Sequence, residues 1–239
     1  MRREVRALLH VLLGAAVLHI SLFSELYLRY VRKELRPYLI ASGLLLVVVG
    51  LVGAAVAAQE LLHPGRRTRA EDGHDHGHGA PRTAWLLLLP VLAIYLLQPR
   101  ALGAFTAQHS DSTAAKPADP AGGFGPLPAN GPVALRLADF DARAVWDTSG
   151  SLKGRQVRLT GFATPGPGGG SWYLTRLTIT CCAADAQTSK VEVHDVDAPP
   201  EGTWVEVTGT WQPDGRSGAV PALAADRVRR IAEPGDPYE

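Results

Sequence analysis

The sequence predicts a fold in two parts: N-terminal α-helical transmembrane segments followed by a small all-β soluble domain, an OB-like barrel. Three observations carry this. Apolar runs of bilayer length open the chain, a stretch dominated by Ala, Pro, Gly, Ser and Asp follows, and the remainder is a series of short alternating segments separated by turn residues. The 239 residues leave room for about one to two domains.

The membrane region covers residues 1–105 and contains about three helices, at 5–23, 38–58 and 83–99. A helix rises 1.5 Å per residue, so about 20 apolar residues cross a hydrocarbon core. Val5–Phe23 meets that length behind Arg2 and Arg3, and no small-x-small cleavage pattern follows it before Glu25 and Tyr27. Tyr38–Ala58 contains no charged residue and is flanked by Arg36 and Glu60. The third run is shorter, with Trp85 near its start and Gln98 and Pro99 at its end, so a tilted span and a re-entrant segment both fit it.

Seven basic residues (Arg2, Arg3, Arg6, Arg66, Arg67, Arg69, Arg82) against four (Arg29, Arg32, Lys33, Arg36) favour a cytoplasmic N-terminus. Three spans then put the C-terminal domain outside the cytoplasm. Gly50, Ala54 and Ala58 recur every four residues, a row of small side chains that admits a second helix closely. On the first span His10, Gly14 and Ser21 share one face, and an intramembrane His10 calls for a polar partner or an interfacial position.

The loop at 71–79, EDGHDHGHG, sets His74, His76 and His78 at alternate positions. Imidazoles on so flexible a backbone can converge on a borderline ion such as zinc, with Asp72 or Asp75 adding a carboxylate; a solvated loop without a ligand is the plainer alternative. Residues 106–131 have almost no large apolar side chain and are expected to form a disordered linker.

The OB-like β domain is expected at 132–233. VALRLADF alternates from Val133, Asp141–Trp146 offers a short helical turn, and GRQVRLTGFA alternates again with Val157 and Leu159 on one side. PGPGGG reads as a hairpin loop before the aromatic and β-branched SWYLTRLTIT, and KVEVHDV, TWVEVTGTW and DRVRRI supply further strands. Five or six short strands in this length suit a small closed barrel. The net charge of +1, with no basic cluster in the C-terminal half, gives no reason to expect nucleic acid. No serine-histidine-acid set, paired catalytic carboxylates or hydrolytic metal motif is visible, so the expected function is not enzymatic.

The only two cysteines, Cys181 and Cys182, are adjacent and end the third predicted strand, with Asp185 three residues on. Neighbouring side chains of an ideal strand face opposite ways, so the two thiols can serve one site only if a bulge or turn intervenes. Three readings stand. The thiols bind a soft or borderline metal with Asp185 and His194 as further ligands; they form a strained, reducible vicinal disulfide; or they are small buried hydrophobes.

The string R-x-x-I-x-C-C-A-A-D-A, here Arg176, Ile179, Cys181, Cys182, Ala183, Ala184, Asp185 and Ala186, resembles the signature of YcgQ-like bacterial membrane proteins. So do the strands Gly154–Phe162 (GxxVxLxGF) and Gly202–Gly209 (GxWVxVxG). The resemblance implies a multi-pass protein of the bacterial cell membrane, in contact with lipid, that partners a separately encoded multi-span permease of the YcgR type. The function expected is that of an accessory permease subunit handling a divalent metal ion or small solute. A membrane-tethered thiol redox protein and an extracytoplasmic partner-binding module are the alternatives; the CxxC of a thioredoxin-like site is absent.

Overall fold

A computed structural model describes residues 3–62, 101–112, 124–166, 170–213 and 220–239. They fall into two compact units, one of residues 3–27 and 33–62 and one of residues 28–32 together with the described residues from 101 onward. The histidine loop and the third apolar run lie outside the described residues.

In the first unit α1 (Arg3–Leu22) and α2 (Arg36–Leu62) pair as an antiparallel hairpin. Both helices are long and apolar enough to cross a membrane. Their contact is built on a seven-residue spacing of small residues: Ala7, Gly14 and Ser21 are buried on α1, and Gly43, Gly50 and Ala57 on α2. A seven-residue repeat keeps one stripe facing its partner along both helices, the geometry of a left-handed coiled coil. The approach is close enough that a Cβ on Gly50 would stand 2.6 Å from Val11 Cγ2, and one on Gly14 would stand 2.7 Å from the Gly43 carbonyl oxygen. At the connected end of the hairpin Arg36 Nε donates to the Ser21 carbonyl at 2.9 Å.

This corrects the four-residue row. Gly50 packs on α1, whereas Ala54 and Ala58 are exposed together with Leu44, Leu45, Val48, Val49, Leu51, Val52 and Val56. His10 stands beside the buried stripe, and its Nδ1 lies 2.7 Å from the Arg6 carbonyl, one turn back on its own helix.

The second unit is a six-stranded sheet with helices beside it. Its elements are α3 (Ala104–Gln108), β1 (Val133–Ala134), α4 (Leu137–Trp146), β2 (Gln156–Pro165), β3 (Trp172–Thr178), β4 (Gln187–His194), β5 (Trp204–Gln212) and β6 (Ala222–Arg230). The strand order is β1-β2-β3-β4-β6-β5, and β2 also pairs with β5, so each strand from β2 to β6 has neighbours on both sides. β4 and β6 run parallel, as do β1 and β2; the remaining pairs are antiparallel. Alternation places Val157, Leu159, Leu174, Val191, Val193, Val205 and Val207 in one core, to which α4 adds Leu137 and Phe140. A second cluster gathers Phe162, Leu177, Ile179 and Tyr238 around Ala107.

Three differences from the sequence reading have physical causes. Residues 135–140 continue no strand after Ala134, because Leu137, Phe140 and Ala144 recur at helical spacing and Arg136 grips Asp139 through two hydrogen bonds of 2.8 and 2.7 Å. The first turn of α4 is capped from afar: the Glu239 carboxylate accepts the Leu137 and Ala138 N–H groups at 2.9 and 3.2 Å. Residues 106–112, expected in a disordered linker, belong to this unit. Ala107 is fully buried, Ser112 pairs with Thr188, and Lys190 Nζ donates to the Ser110 carbonyl at 2.7 Å.

The unit also extends past the expected end at 233. Buried Arg176 stacks 4.7 Å over Trp204, donates to the carbonyls of Asp236 and Tyr238 at 3.2 and 3.3 Å, and faces Glu239 at 3.9 Å. Arg176 lies five residues before Cys181, so the strand that delivers the thiols is anchored by this buried cation.

Candidate metal centre

After Thr178 the chain leaves β3, keeps Ile179 in the second cluster, and turns through a 3-10 segment at Ala183–Asp185 before β4 begins. The turn is made by Asp185. Its Oδ1 accepts the Thr180 N–H at 2.8 Å, and its Oδ2 accepts those of Cys181 and Cys182 at 2.8 and 3.4 Å. The cap is reciprocal, for the Cys182 sulfur accepts the Asp185 N–H while the Asp185 carboxylate accepts from Cys182. Small Ala183 and Ala184 let the backbone pass this close.

That turn cancels the strand alternation that would separate the thiols. Both are free cysteines with their sulfurs 3.7 Å apart, Cys181 exposed and Cys182 half-buried. One ligand atom each from Cys181, Cys182 and Asp185 lies within 4.8 Å of the others, a group that could hold a metal ion.

The electrostatics bear on the chemistry. The Asp185 carboxylate, taking a hydrogen bond from the Cys181 thiol, pushes that thiol up to about 11, and neighbouring Cys182 adds to the effect. The same thiol hydrogen bond, with the Thr180, Cys181 and Cys182 N–H groups, holds Asp185 down to about 2. At neutral pH Cys181 is therefore protonated, a poor state for a nucleophile or a thiol-exchange centre. A dication reverses this, since its charge displaces thiol protons and turns the carboxylate from a repulsive neighbour into a ligand.

A component that sequence reasoning missed completes the turn. Val31 forms an antiparallel bridge with Cys182, Ala183 N–H donates to the Tyr30 carbonyl at 2.8 Å, and Arg32 N–H donates to the Cys181 carbonyl at 3.2 Å. The Tyr238 hydroxyl fixes this segment by donating to the Arg29 carbonyl at 3.0 Å, and its oxygen accepts the Leu102 N–H at 3.0 Å. The one hint in the sequence was that LYLRYV, between two apolar runs, carries more aromatic and apolar bulk than a solvated connection needs.

Of the other predicted ligands, the one among the described residues does not join the group. His194 closes β4 at the end remote from the turn, seven residues beyond Gln187, or about 23 Å at roughly 3.3 Å per residue. There its Nε2 stands 3.4 Å from Glu192 Oε1. His74, His76 and His78 lie outside the described residues.

Fold and site together define a class: a chain with two N-terminal apolar helices and a six-stranded sheet domain that carries a vicinal-cysteine turn able to hold a metal ion. Residues 143–239, which include β2 to β6 and the thiol turn, match the family model of the DUF1980 C-terminal domain. No curated protein and no solved structure matches the chain.

Proposed function

We propose that this protein is a membrane-anchored accessory subunit of a multi-span permease, and that its thiol turn binds a borderline dication, zinc above all, for transfer to or from that partner. The observation that carries the metal reading is the sulfur spacing. Two Zn–S bonds of about 2.3 Å meeting at the tetrahedral angle span roughly 3.8 Å, whereas a linear thiolate pair at that bond length would need roughly 4.6 Å. The sulfurs stand at 3.7 Å before any ion arrives.

Among the described residues three donors face the site, one of them an exposed thiol, and they leave a coordination position open. A closed four-ligand site retains its metal, while an open one exchanges it, so the arrangement favours hand-over above structural storage. The YcgQ-like resemblance supplies the partner, a permease of the YcgR type, and the exposed apolar faces of α1 and α2 supply lipid or helix contacts for membrane docking. The extracytoplasmic placement of the sheet domain rests on the charge count. The sheet itself fits an OB-like closed barrel: β2-β3-β4-β6-β5 and back to β2, with one parallel pair, is a five-stranded ring in which the thiol turn joins the second and third strands.

The test is elemental analysis of purified full-length protein lacking only residues 71–79, beside the same protein carrying C181S and C182S. The first should hold about one zinc per chain and the second none. Equal zinc in both would remove the thiol turn as the metal site.

A further inference from the structure

We propose that the connection between the two apolar helices is a sensing strand for the thiol turn: metal bound at Cys181 and Cys182 tightens the pairing of Tyr30–Arg32, and release of the metal loosens it. The proposal rests on the zinc reading above and goes beyond it in naming what responds to the load.

The geometry gives the thiol turn two supports of different kinds. From one side the Asp185 side chain gathers three backbone N–H groups. From the other, the backbone of residues 30–32 brackets the cysteines, accepting the Ala183 N–H at Tyr30 and donating the Arg32 N–H to the Cys181 carbonyl. The second support is a bridge one residue long, at Val31 and Cys182, and is not part of a wider ladder. The pairing is short and draws part of its order from beside it, where the Tyr238 hydroxyl donates to the Arg29 carbonyl and Leu28 is buried. Its population is open to bias by anything that orders the cysteines.

A metal ion does that, because ligation fixes the rotamers and the backbone of both cysteines at once. Whatever free energy bound metal lends to the strand pairing, the paired strand lends to metal binding by the same factor. The output is set by chain connectivity. Between the end of α1 at Leu22 and the start of α2 at Arg36, two 3-10 turns, Leu26–Arg29 and Lys33–Leu35, flank Tyr30–Arg32 directly. Fixing or freeing this segment therefore sets how much slack the connection between the helices has.

The test uses the chain lacking only residues 71–79, so that zinc uptake reports on the thiol turn, in lipid nanodiscs. Hydrogen exchange is followed in peptides covering Leu28–Arg32 and Thr180–Asp185, with and without zinc, while uptake is measured separately by chelator competition. Zinc should slow exchange at the Arg32 and Ala183 amides by about fivefold or more. In parallel Arg32→Pro, which removes the donor to Cys181, should bind zinc about fivefold more weakly than Arg32→Ala, which loses the side chain but keeps the N–H. Zinc taken up at wild-type stoichiometry with unchanged exchange at both amides would overturn the coupling alone, as would equal affinity of the two variants. A chain that takes up no zinc would overturn the metal reading and this proposal with it.

Discussion

Asp185 and Asp141 are both carboxylates of the sheet unit, and they stand in opposite conditions. Asp185 is surrounded by donors and sits low, at about 2, beside a surface turn. Asp141, on the face of α4 turned inward, is 1% exposed, and neither of its oxygens meets a donor in full hydrogen-bonding geometry, the Ser112 hydroxyl being the polar group beside it. Burial pushes it up to about 7, with the Ser112 hydroxyl offsetting only part of the cost. One aspartate builds its surroundings; the other is tolerated by them. The contrast teaches that exposure is a poor guide to structural importance: the more accessible group is the one around which the backbone is organised.

The contrast is sharpest in its dependence on pH. A carboxylate whose folded pKa is raised binds its proton more tightly in the folded state, so its contribution to stability is complete below about 3.8 and is lost as pH rises to about 7. Asp141→Asn should therefore stabilise the sheet unit at pH 8, by up to about 4 kcal/mol, and the gain should shrink towards pH 4. Thermal unfolding of both proteins across that range checks it. A variant less stable than wild type at pH 8 would mean that the Asp141 charge is compensated in the fold.

Asp185 should behave in the reverse sense. Asp185→Asn keeps the volume but puts an amide where two N–H donors point, so Cys181 and Cys182 lose their acceptor and the thiols their spacing. Zinc affinity should fall by about 100-fold, the upper range for loss of a group that orients metal ligands. Titration against a zinc-binding dye reads this, and a loss under tenfold would show that the turn holds its shape without the carboxylate.

The helix hairpin tests the comparison in a region whose described contact is built from small and apolar residues. Gly50→Leu forces a side chain into the 2.6 Å gap before Val11, and overpacking of this kind costs about 1–3 kcal/mol. It should lower the stability of the hairpin in detergent and leave zinc binding by the sheet unit unchanged. The smallest effect is expected at Asp147, a half-buried carboxylate on which desolvation acts upward but which the Ser149 and Ser151 hydroxyls and N–H groups together hold down to about 2. Because solvent screens it, Asp147→Ala should cost no more than about 1 kcal/mol in chemical denaturation.

What the sequence revealed followed from local periodicity. Alternation at Val157 and Leu159, and at Val205 and Val207, located strands because a half-buried strand must alternate. The unbroken apolar runs located both helices. The thiol turn was legible too, since two adjacent cysteines before a pair of alanines and an aspartate required a turn if they were to share a site. The rest depended on distant partners. Glu239 caps α4 across about a hundred residues of chain, and Tyr30–Arg32 meet the cysteines from about 150 residues away, so no local window records either. His194 misled for the converse reason: thirteen residues separate it from Cys181, but a strand carries it to the far end of the sheet.

The central claim, that Cys181, Cys182 and Asp185 hold a zinc-like dication, is tested most directly by zinc-edge X-ray absorption on the full chain lacking residues 71–79. The account predicts two sulfur scatterers at about 2.3 Å with nitrogen or oxygen donors filling the remaining positions. A first shell of nitrogen and oxygen alone would contradict it.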